Sequence, residues 1–290
     1  MNTATPAAAA DGPTPWAQYR RLLSIAGYDS GGGAGVQADL KTFAALGCFG
    51  TTAITALTAQ NTTGVRAIHA VPLDVLAAQI DAVVEDLGVD AVKIGMLHSA
   101  PTLQTVAVAL ERHGLHRVVL DPVMVATSGA ALIDPSSIAA LVSLLFPRAL
   151  LVTPNLDEAA MLVGRPLHSE ADMAAAAQQL LDMGARAVLL KGGHLAGDTV
   201  ADLLLQPGVA PLWLRAPRIA THNTHGTGCT LSSAIAAFLA LGDGLPQAVR
   251  LAREYVRGAL AAGAGVRTGS GSGPLNHGFA PQPMRLAPLP

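Results

Sequence analysis

Leu22-Leu23-Ser24-Ile25-Ala26 is followed almost at once by Asp29-Ser30-Gly31-Gly32-Gly33-Ala34-Gly35, so an apolar run ends in a glycine-rich turn. The run is typical of a buried strand, and the glycines allow a sharp turn and a close approach of backbone amides to a ligand. Apolar side chains then recur at three- and four-residue spacing until Gly47, which predicts an amphipathic helix over residues 35–46. Strand, turn and helix in this order predict one unit of an α/β sheet.

The same alternation continues along the chain. Predicted strands cover residues 22–26, 51–57, 91–94, 118–120, 150–152 and 187–190. Predicted helices cover residues 35–46, 73–87, 101–113, 136–145, 170–183 and 247–262. Right-handed crossovers between such strands predict an α/β fold, a three-layer α/β/α sandwich with a mostly parallel central sheet. Residues 200–205 and 211–214 break the rhythm and predict a small peripheral β-hairpin.

The composition indicates one soluble domain without a nucleic-acid partner. Hydrophobic residues make up 51% of the 290 residues and charged residues 13%, which is enough apolar surface for one large core. The formal net charge is −2 and the Lys and Arg residues are spread singly, so we expect no nucleic-acid partner. Cys48 and Cys229 are far apart, which argues against a disulfide framework and for the cytoplasm.

The two ends of the chain predict tails. Residues 1–19 are rich in Ala and Pro but lack the basic start and continuous apolar core of a secretory signal, so we interpret them as disordered. Residues 279–290 are rich in Pro and predict a C-terminal tail, which leaves residues 20–278 as the domain. The longest apolar helix candidate, residues 231–241, is shorter than the roughly 20 residues that cross a bilayer, so we expect no membrane partner.

A phosphate-binding helix start is predicted by Asn223-Thr224-His225-Gly226-Thr227-Gly228-Cys229-Thr230. Gly226 and Gly228 leave backbone amides accessible, and a helix that begins near Cys229 directs its positive end at the same point. The chain has no Gly-Lys pair, so a Walker A loop is excluded and this segment is the best candidate for holding ATP phosphates. The motif predicts a small-molecule kinase.

Cys229 is the most specific residue of this segment. A thiol at a helix N-terminus is expected to have a lowered pKa and to act as a proton acceptor or hydrogen-bond partner. Three alternatives stay open: a small buried apolar residue, a zinc site with His222 and His225, and a Cys-His hydrolase.

Other polar residues follow predicted strands, where ligands of open α/β sheets bind. Asn155 and Glu158 lie three apart at a helix start, which suits either a capping interaction or a magnesium shell. Lys191 ends a strand where its charge can meet a phosphate. A dinucleotide site at the glycine-rich turn is disfavoured, because no acidic residue lies between Asp39 and Asp74.

Together these segments resemble the hydroxymethylpyrimidine and phosphomethylpyrimidine kinases of thiamine biosynthesis, a branch of the ribokinase-like superfamily. The resemblance covers residues 21–278 in the order of that family. Its motifs are Ser30-Gly31-Gly32-Gly33-Ala34-Gly35, Thr58-Ala59-Gln60-Asn61, Lys93-Ile94-Gly95-Met96, Leu120-Asp121-Pro122-Val123-Met124, Thr153-Pro154-Asn155, Lys191-Gly192-Gly193-His194, Thr224-His225-Gly226-Thr227-Gly228-Cys229 and Gly273-Pro274-Leu275-Asn276-His277.

The resemblance implies an ATP- and Mg²⁺-dependent kinase that phosphorylates 4-amino-5-hydroxymethyl-2-methylpyrimidine twice, and a homodimer. The alternative is a pyridoxal or pyridoxine kinase, since some relatives with this cysteine phosphorylate hydroxymethyl pyridines. The Gln60 amide would bind the pyrimidine edge, and the catalytic residues would be Cys229, Gly226, Gly228 and Lys191. By the same carry-over, the ring would be surrounded by Gly27, Asp39, Met96 and Val123, Mg²⁺ would be organised by Asp121, Asn155 and Glu158, and ATP would contact Lys191, Thr224, Gly226, Thr227 and Gly228.

Two positions depart from the family pattern. Tyr28 stands where Ser or Thr is common, beside the expected hydroxymethyl end of the substrate. Thr127 replaces a Lys that is often seen in this segment, so one phosphate contact is expected to be absent. The second phosphorylation, which acts on an anionic substrate, is the step most exposed to that loss.

Overall fold

The computed structural model describes residues 17–125, 129 and 132–288. The strands are β1 (Ala17–Tyr19), β2 (Arg21–Asp29), β3 (Phe49–Asn61), β4 (Gly64–Ala70), β5 (Ala91–Ile94), β6 (Val118–Leu120), β7 (Leu151–Val152), β8 (Val188–Leu190), β9 (Thr199–Leu205), β10 (Leu212–Pro217) and β11 (Leu286–Pro288). The α-helices are α1 (Gly35–Ala45), α2 (Leu73–Ala82), α3 (Ala100–Arg112), α4 (Ile138–Leu145), α5 (Leu156–Val163), α6 (Glu170–Asp182), α7 (Thr227–Leu241) and α8 (Leu245–Gly263).

The large sheet has nine strands in the order β10-β9-β8-β7-β6-β5-β2-β3-β4. Its six central strands, from β8 to β3, pair in parallel, while β4 at one edge and β9 and β10 at the other pair antiparallel. The predicted α/β sandwich with a mostly parallel sheet is therefore confirmed. The predicted hairpin is β9 and β10, which extends the sheet at its edge.

Both faces of the sheet are covered by helices, because the central strands alternate apolar side chains between two cores. Leu22 packs with α1, α7 and α8, whereas its neighbour Leu23 packs on the other face with α2 to α6. Val118 and Val119 divide in the same way. Parallel strands buried on both faces read as continuous apolar runs, which is why these strands are visible in the sequence.

The chain ends differ from the prediction. β1 and β11 pair antiparallel, with Ala17 opposite Pro288, and Gln282 and Arg285 donate backbone hydrogen bonds to Ala45 and Gly47 at the end of α1. The predicted tails are therefore too long at residues 17–19 and 282–288. Composition misled here, because a segment with several prolines still pairs through the N–H groups of its other residues.

Two further elements differ from expectation. β4 was not predicted, and it forms an antiparallel hairpin with an extended β3. The helix expected over residues 73–87 is α-helical only to Ala82 and continues as a π-helical turn, Val83–Leu87, which ends at Gly88 with φ of 72°. Within the described residues, no helix combines the length and the apolar character that crossing a bilayer requires.

Candidate active site

A cavity of about 790 Å³ lies at the carboxyl ends of the central strands, where open α/β sheets bind ligands. Most residues predicted for the site line it: Gly27, Gln60, Met96, Asp121, Val123, Asn155, Glu158, Lys191, Thr224, Gly226, Thr227, Gly228 and Cys229. They reach the cavity from the ends of β2, β3, β5, β6, β7 and β8 and from the start of α7. The alternation of strands and helices therefore brings together motifs that are far apart in the sequence.

Asp39 is the predicted substrate residue that does not line the cavity. It is fully buried in α1, where its carboxylate accepts two hydrogen bonds of 2.9 Å from the Lys93 ammonium and one each from Ser24 and Ser233. In the ligand-free protein these partners hold the carboxylate inside the protein, and its expected contact with the substrate ring stays a prediction. Lys93, which was not selected from the sequence, lines the cavity instead.

Lys93 carries a buried positive charge. Burial alone would lower its pKa, but the negative charge of Asp39, followed by that of Asp121, raises it. The group is therefore an ammonium at any physiological pH. It lies in the wall of the cavity that also holds Cys229.

The helix α7 begins at Thr227, two residues earlier than expected, and Gly226 is its N-cap with φ of 85°. The first backbone hydrogen bond along the helix runs from Thr230 N–H to the Gly226 carbonyl at 2.8 Å. The N–H groups of Gly228 and Cys229 lie in the first turn, where they have no intrahelical acceptor. This geometry fits the anion-binding helix start that the motif predicts.

Gly228 brings this helix start close to a cation. A Cβ at this position would lie 3.1 Å from Lys191 Nζ and 3.5 Å from Asp121 Oδ2. The absence of a side chain therefore lets an amide, an ammonium and a carboxylate converge on one point of the cavity. An anionic phosphate group fits the amide and the ammonium.

The pKa of the Cys229 thiol is raised to about 11, mainly by burial, although the nearby Lys93 ammonium acts in the opposite direction. The expected lowering of this pKa is wrong, because desolvation of a thiolate in this wall outweighs the helix terminus. In the ligand-free protein Cys229 is a protonated thiol. The thiol can donate a hydrogen bond. It must lose its own proton before it can take up a proton from the substrate.

Asp121 and Glu158 form a buried carboxylate pair around Lys191. Lys191 Nζ lies 2.8 Å from Asp121 Oδ1 and 3.8 Å from Glu158 Oε2. Burial raises the pKa of Glu158 to about 7, and the positive charge of Lys191 opposes that rise. Two carboxylates beside a phosphate site provide hard oxygen donors of the kind that Mg²⁺ prefers, with water completing its shell.

Asn155 caps helix α5. Its side-chain oxygen accepts from Glu158 N–H at 2.8 Å, while Glu158 Oε2 accepts from Asn155 N–H at 2.8 Å, which is a complete capping box. Of the two interpretations that the sequence left open, the structure favours the cap. The Asn155 oxygen keeps one lone pair, but the carboxylates of Asp121 and Glu158 are the stronger candidates for metal ligands, because they can carry negative charge.

Gln60 lies where β3 shifts register, and its backbone is held by one hydroxyl group. Ser30 Oγ accepts from Gln60 N–H at 2.8 Å and donates to the Gln60 carbonyl at 2.7 Å. This clamp directs the Gln60 side chain into the cavity. Gly27 adjoins the same region, where a Cβ would lie 2.8 Å from Met96 Cε. Gly27 and Met96 are therefore packed closely together in the lining of the cavity that Gln60 also reaches.

The sequence suggested that the glycine-rich loop offers its amides to a ligand, but in the structure these amides are bonded within the protein. The carboxylate of Asp29 accepts hydrogen bonds from the N–H groups of Gly31, Gly33 and Ala34 at 2.8, 3.1 and 2.8 Å. His225 Nε2 lies 2.9 Å from the same carboxylate. Burial would raise the pKa of Asp29, but the bond from His225 and those from the loop lower it, so Asp29 is ionised. Sequence reasoning did not select Asp29, whose partner lies 196 positions away.

The remaining alternatives find no support among the described residues. In the described part of the chain, His222, His225 and Cys229 do not lie close enough together to share a metal ion, which argues against the zinc site. The one group of three potential metal-ligating side chains in the described part of the chain is Asp81, Glu85 and His113, outside the cavity. Tyr28 lines the cavity and is partly exposed, and Thr127 lies outside the described residues.

Comparison with known proteins gives a consistent result. The family model for phosphomethylpyrimidine kinase matches residues 29–276. A hydroxymethylpyrimidine/phosphomethylpyrimidine kinase of Rhizobium meliloti (strain 1021) is 54% identical over 256 residues, covering 88% of this chain and 96% of that protein. A crystal structure of phosphomethylpyrimidine kinase from Clostridium difficile 630 has a TM-score of 0.73 at 40% identity, covering 83% and 99%. An ADP complex of Bacillus subtilis pyridoxal kinase has a TM-score of 0.83 at 35% identity, covering 90% and 98%.

The fold and the cavity define a small-molecule kinase of ribokinase-like architecture. Within that class, the chain belongs to the phosphomethylpyrimidine kinase family, since the family match and the Rhizobium relative both span most of its length. The resemblance drawn from the sequence motifs is thereby confirmed.

Proposed function

We propose that this enzyme transfers the γ-phosphoryl group of ATP to the hydroxymethyl group of 4-amino-5-hydroxymethyl-2-methylpyrimidine, and a second phosphoryl group to the resulting monophosphate. The observation that carries this proposal is that the Gln60 amide and the Cys229 helix start line one cavity. An amide binds the aminopyrimidine edge by one acceptor and one donor. The hydroxymethyl group then extends toward the anion-binding amides.

The phosphate-binding half of the site is assigned to α7 and its neighbours. The N–H groups of Gly228 and Cys229 receive the transferred phosphoryl group, and Lys191 supplies a positive charge. Thr224, Gly226 and Thr227 line the adjoining wall toward ATP. Phosphoryl transfer has a loose transition state, so positioning and charge stabilisation provide most of the catalysis.

The acceptor hydroxyl oxygen forms a bond to the γ-phosphorus as the bond to the ADP oxygen breaks, and the hydroxyl proton leaves. We assign Cys229 as the proton acceptor. Since its thiol is protonated in the ligand-free protein, Cys229 must first lose that proton, and the Lys93 ammonium is the group that favours the thiolate. The hydroxyl proton stays on Cys229 and restores the resting thiol, so each turnover releases one proton to solvent, the one that Cys229 lost at the start.

Magnesium would be held by the carboxylates of Asp121 and Glu158, which fit a hard cation, with Asn155 acting only through its cap on Glu158. The ion supplies neutralisation of the ATP phosphate charge. Lys191 lies between the same carboxylates and lowers the cost of burying them before the ion binds.

Pyridoxal phosphorylation is a second candidate activity, because the pyridoxal kinase of Bacillus subtilis has a TM-score of 0.83 with this chain. The lower identity of that protein, 35% against 54% for the Rhizobium relative, favours the pyrimidine. ADP release measured in parallel with both alcohols tests the proposal. We expect a higher kcat/KM with the pyrimidine, and a preference for pyridoxal would overturn the assignment.

The compartment and the assembly are part of the same proposal. Both cysteines are free thiols, which supports the cytoplasm as the site of action. The homodimer stays a prediction that sedimentation of the purified protein can test.

A further inference from the structure

The side-chain amide of Gln60 places a donor against a donor and an acceptor against an acceptor, and a half-turn of that amide would correct both contacts. Gln60 Nε2, an amide nitrogen that only donates, lies 3.4 Å from His225 Nε2. His225 Nε2 also lies 2.9 Å from the ionised Asp29 carboxylate, so it must carry a proton and donate to it. Two donors therefore face each other.

The other end of the same amide shows the matching conflict. Thr58 Oγ lies 2.9 Å from the Tyr28 carbonyl, which only accepts, so the single hydroxyl proton of Thr58 is used there. Gln60 Oε1 nevertheless lies 3.2 Å from the same hydroxyl, as a second acceptor. Here the oxygen of Gln60 faces a group that has no proton left to give.

A half-turn of the terminal amide exchanges its oxygen and nitrogen and satisfies every partner. The Gln60 oxygen then accepts from His225 Nε2–H, which is shared with Asp29, and the Gln60 nitrogen donates to Thr58 Oγ. One lone pair of the oxygen and one N–H of the nitrogen remain for a ligand in the cavity.

We infer that Asp29 and His225 are positioning residues that fix the orientation of the Gln60 amide, with its oxygen on the His225 side and its nitrogen on the Thr58 side. The Asp29 carboxylate holds the proton on His225 Nε2, and that proton selects the oxygen of Gln60. This inference rests on the proposed function, because Gln60 is there the group that binds the pyrimidine edge.

The backbone around these residues keeps the arrangement rigid. A Cβ on Gly33 would lie 2.4 Å from His225 Cδ2, and a Cβ on Gly226 would lie 1.9 Å from the Gly33 carbonyl oxygen. The glycine-rich loop is thus packed directly against His225 and the start of α7. Asp29, bonded to three amides of that loop, cannot move away from the imidazole without opening the loop.

A fixed amide discriminates between two pyrimidines of nearly the same shape. The 4-amino compound offers a donor at C4 and an acceptor at the neighbouring ring nitrogen, whereas its 4-oxo analogue offers the reverse pattern. An amide held in one orientation accepts only the first, and an amide free to turn accepts both. Sites that pair a substrate hydrogen bond reject an analogue that lacks the matching group by about 10⁴- to 10⁵-fold.

The test is the ratio of kcat/KM for the 4-amino and 4-oxo alcohols. We expect His225→Leu and Asp29→Asn to lower that ratio at least about tenfold, and His225→Gln, which can place an N–H near the same point, to restore much of it. A loss of activity that is equal for both alcohols would overturn the inference, since that is what a purely structural role predicts.

Thr58→Val provides a second variant away from the glycine-rich loop, in case the loop variants do not fold. It removes the hydroxyl group at the nitrogen side of the amide with little change of shape, and should also lower the ratio. Thr51→Val is the matched control, because Thr51 lies on the same strand and its hydroxyl donates to the Leu22 carbonyl, away from Gln60. An unchanged ratio in Thr58→Val would contradict the inference.

The wild-type protein separates this inference from the proposed function. If it turns over neither alcohol, the proposed function fails, and the same ratio is taken from the dissociation constants of the two alcohols by calorimetry. A wild-type protein that binds both alcohols equally, or neither, would overturn the positioning role as well.

Discussion

Cys229 shows at the scale of single residues what the sequence reveals and what it hides. The motif Gly226-Thr227-Gly228-Cys229 identified the helix start and the residue beside it, and the structure places both in the cavity. The direction of the pKa shift depends on burial, which motif spacing does not report. The pKa of Cys229 is therefore raised, because the cost of desolvating the thiolate is larger than the stabilisation from the helix terminus.

Replacing the thiol of Cys229 tests its assigned role. We expect Cys229→Ala to lower kcat by about 10²-fold or more, as the loss of a proton acceptor does, with a smaller change in KM for the pyrimidine. Steady-state kinetics with coupled ADP detection gives both values. Cys48→Ala is the matched control, because Cys48 is the other cysteine and lies in the apolar core away from the cavity. A kcat within twofold of wild type in Cys229→Ala would remove Cys229 from the mechanism.

Asp29 and Lys93 escaped the sequence analysis for a common reason. Their roles come from partners distant along the chain: His225 is 196 positions from Asp29, and Asp39 is 54 positions from Lys93. No local pattern encodes such pairs. Asp39 was expected to contact the substrate, whereas in the structure its carboxylate forms a buried ion pair with Lys93.

At the scale of elements, the central strands and the edge hairpin of β9 and β10 were predicted, whereas β4, β1 and β11 were not. The strands from β5 to β8 are short apolar runs buried on both faces, so they are visible in composition alone. β4 is largely exposed, and β1 and β11 are three residues each, so none of them has an apolar signature. Their pairing is decided by tertiary contacts.

The N-cap of α7 provides a prediction about that element. Gly226→Ala places a residue with a side chain at a backbone φ of 85°, which such residues rarely adopt. Its Cβ would also overlap the Gly33 carbonyl oxygen, so the helix start must shift. We expect a loss of kcat of at least about tenfold, because amides displaced by a fraction of an ångström stabilise the transition state less well.

Gly242→Ala is the control at the other end of α7. Gly242 also has positive φ, at 105°, but open space surrounds its missing Cβ. This variant should be less stable by about 1 kcal/mol, with kcat unchanged. Equal kcat values for the two variants would show that the geometry of the helix start has no part in catalysis.

The ion pair between Asp39 on α1 and Lys93 on β5 provides a second prediction. Both side chains are fully buried, so Asp39→Asn leaves an unpaired charge inside the protein and should cost about 3–5 kcal/mol of unfolding free energy. Urea unfolding measures the loss. Asp81→Asn, which breaks a partly exposed pair with Arg112, should cost at most about 1 kcal/mol. Similar losses in the two variants would contradict the account of the buried pair.

At the scale of the whole molecule, the sequence predicted the three layers better than it predicted the chain termini and the strands at the sheet edges. The alternation of strands and helices sufficed for a parallel sheet with a core on each face, since β2 and the strands from β5 to β8 bury side chains toward both. The chain termini and the lengths of β3 and β4 required the structure, because they depend on which segments meet at the sheet edges.

His277 makes the stability of the molecule depend on pH. Burial, followed by the positive charge of Lys41, lowers its pKa to about 4, while its Nε2 lies 2.9 Å from Thr230 Oγ on α7. Between its ordinary pKa of 6.5 and about 4, the unfolded chain binds a proton that the folded chain does not. Stability is therefore lost as the pH falls through this window.

Between pH 7 and pH 5, this histidine should lower the unfolding free energy by about 2 kcal/mol. His277→Gln removes the titrating group, so the difference between wild type and variant isolates it from other groups such as Glu158. Urea unfolding at the two pH values gives that difference. An equal dependence on pH in both proteins would contradict the buried neutral histidine.

The central claim is that one cavity binds an aminopyrimidine alcohol beside an ATP phosphate site. Mass detection of the products after incubation with ATP, Mg²⁺ and 4-amino-5-hydroxymethyl-2-methylpyrimidine tests it most directly. The account predicts the monophosphate first and then the diphosphate, and a reaction that stops at the monophosphate would point to Thr127 as the reason. If no phosphorylated pyrimidine forms while ATP is bound, the central claim is wrong.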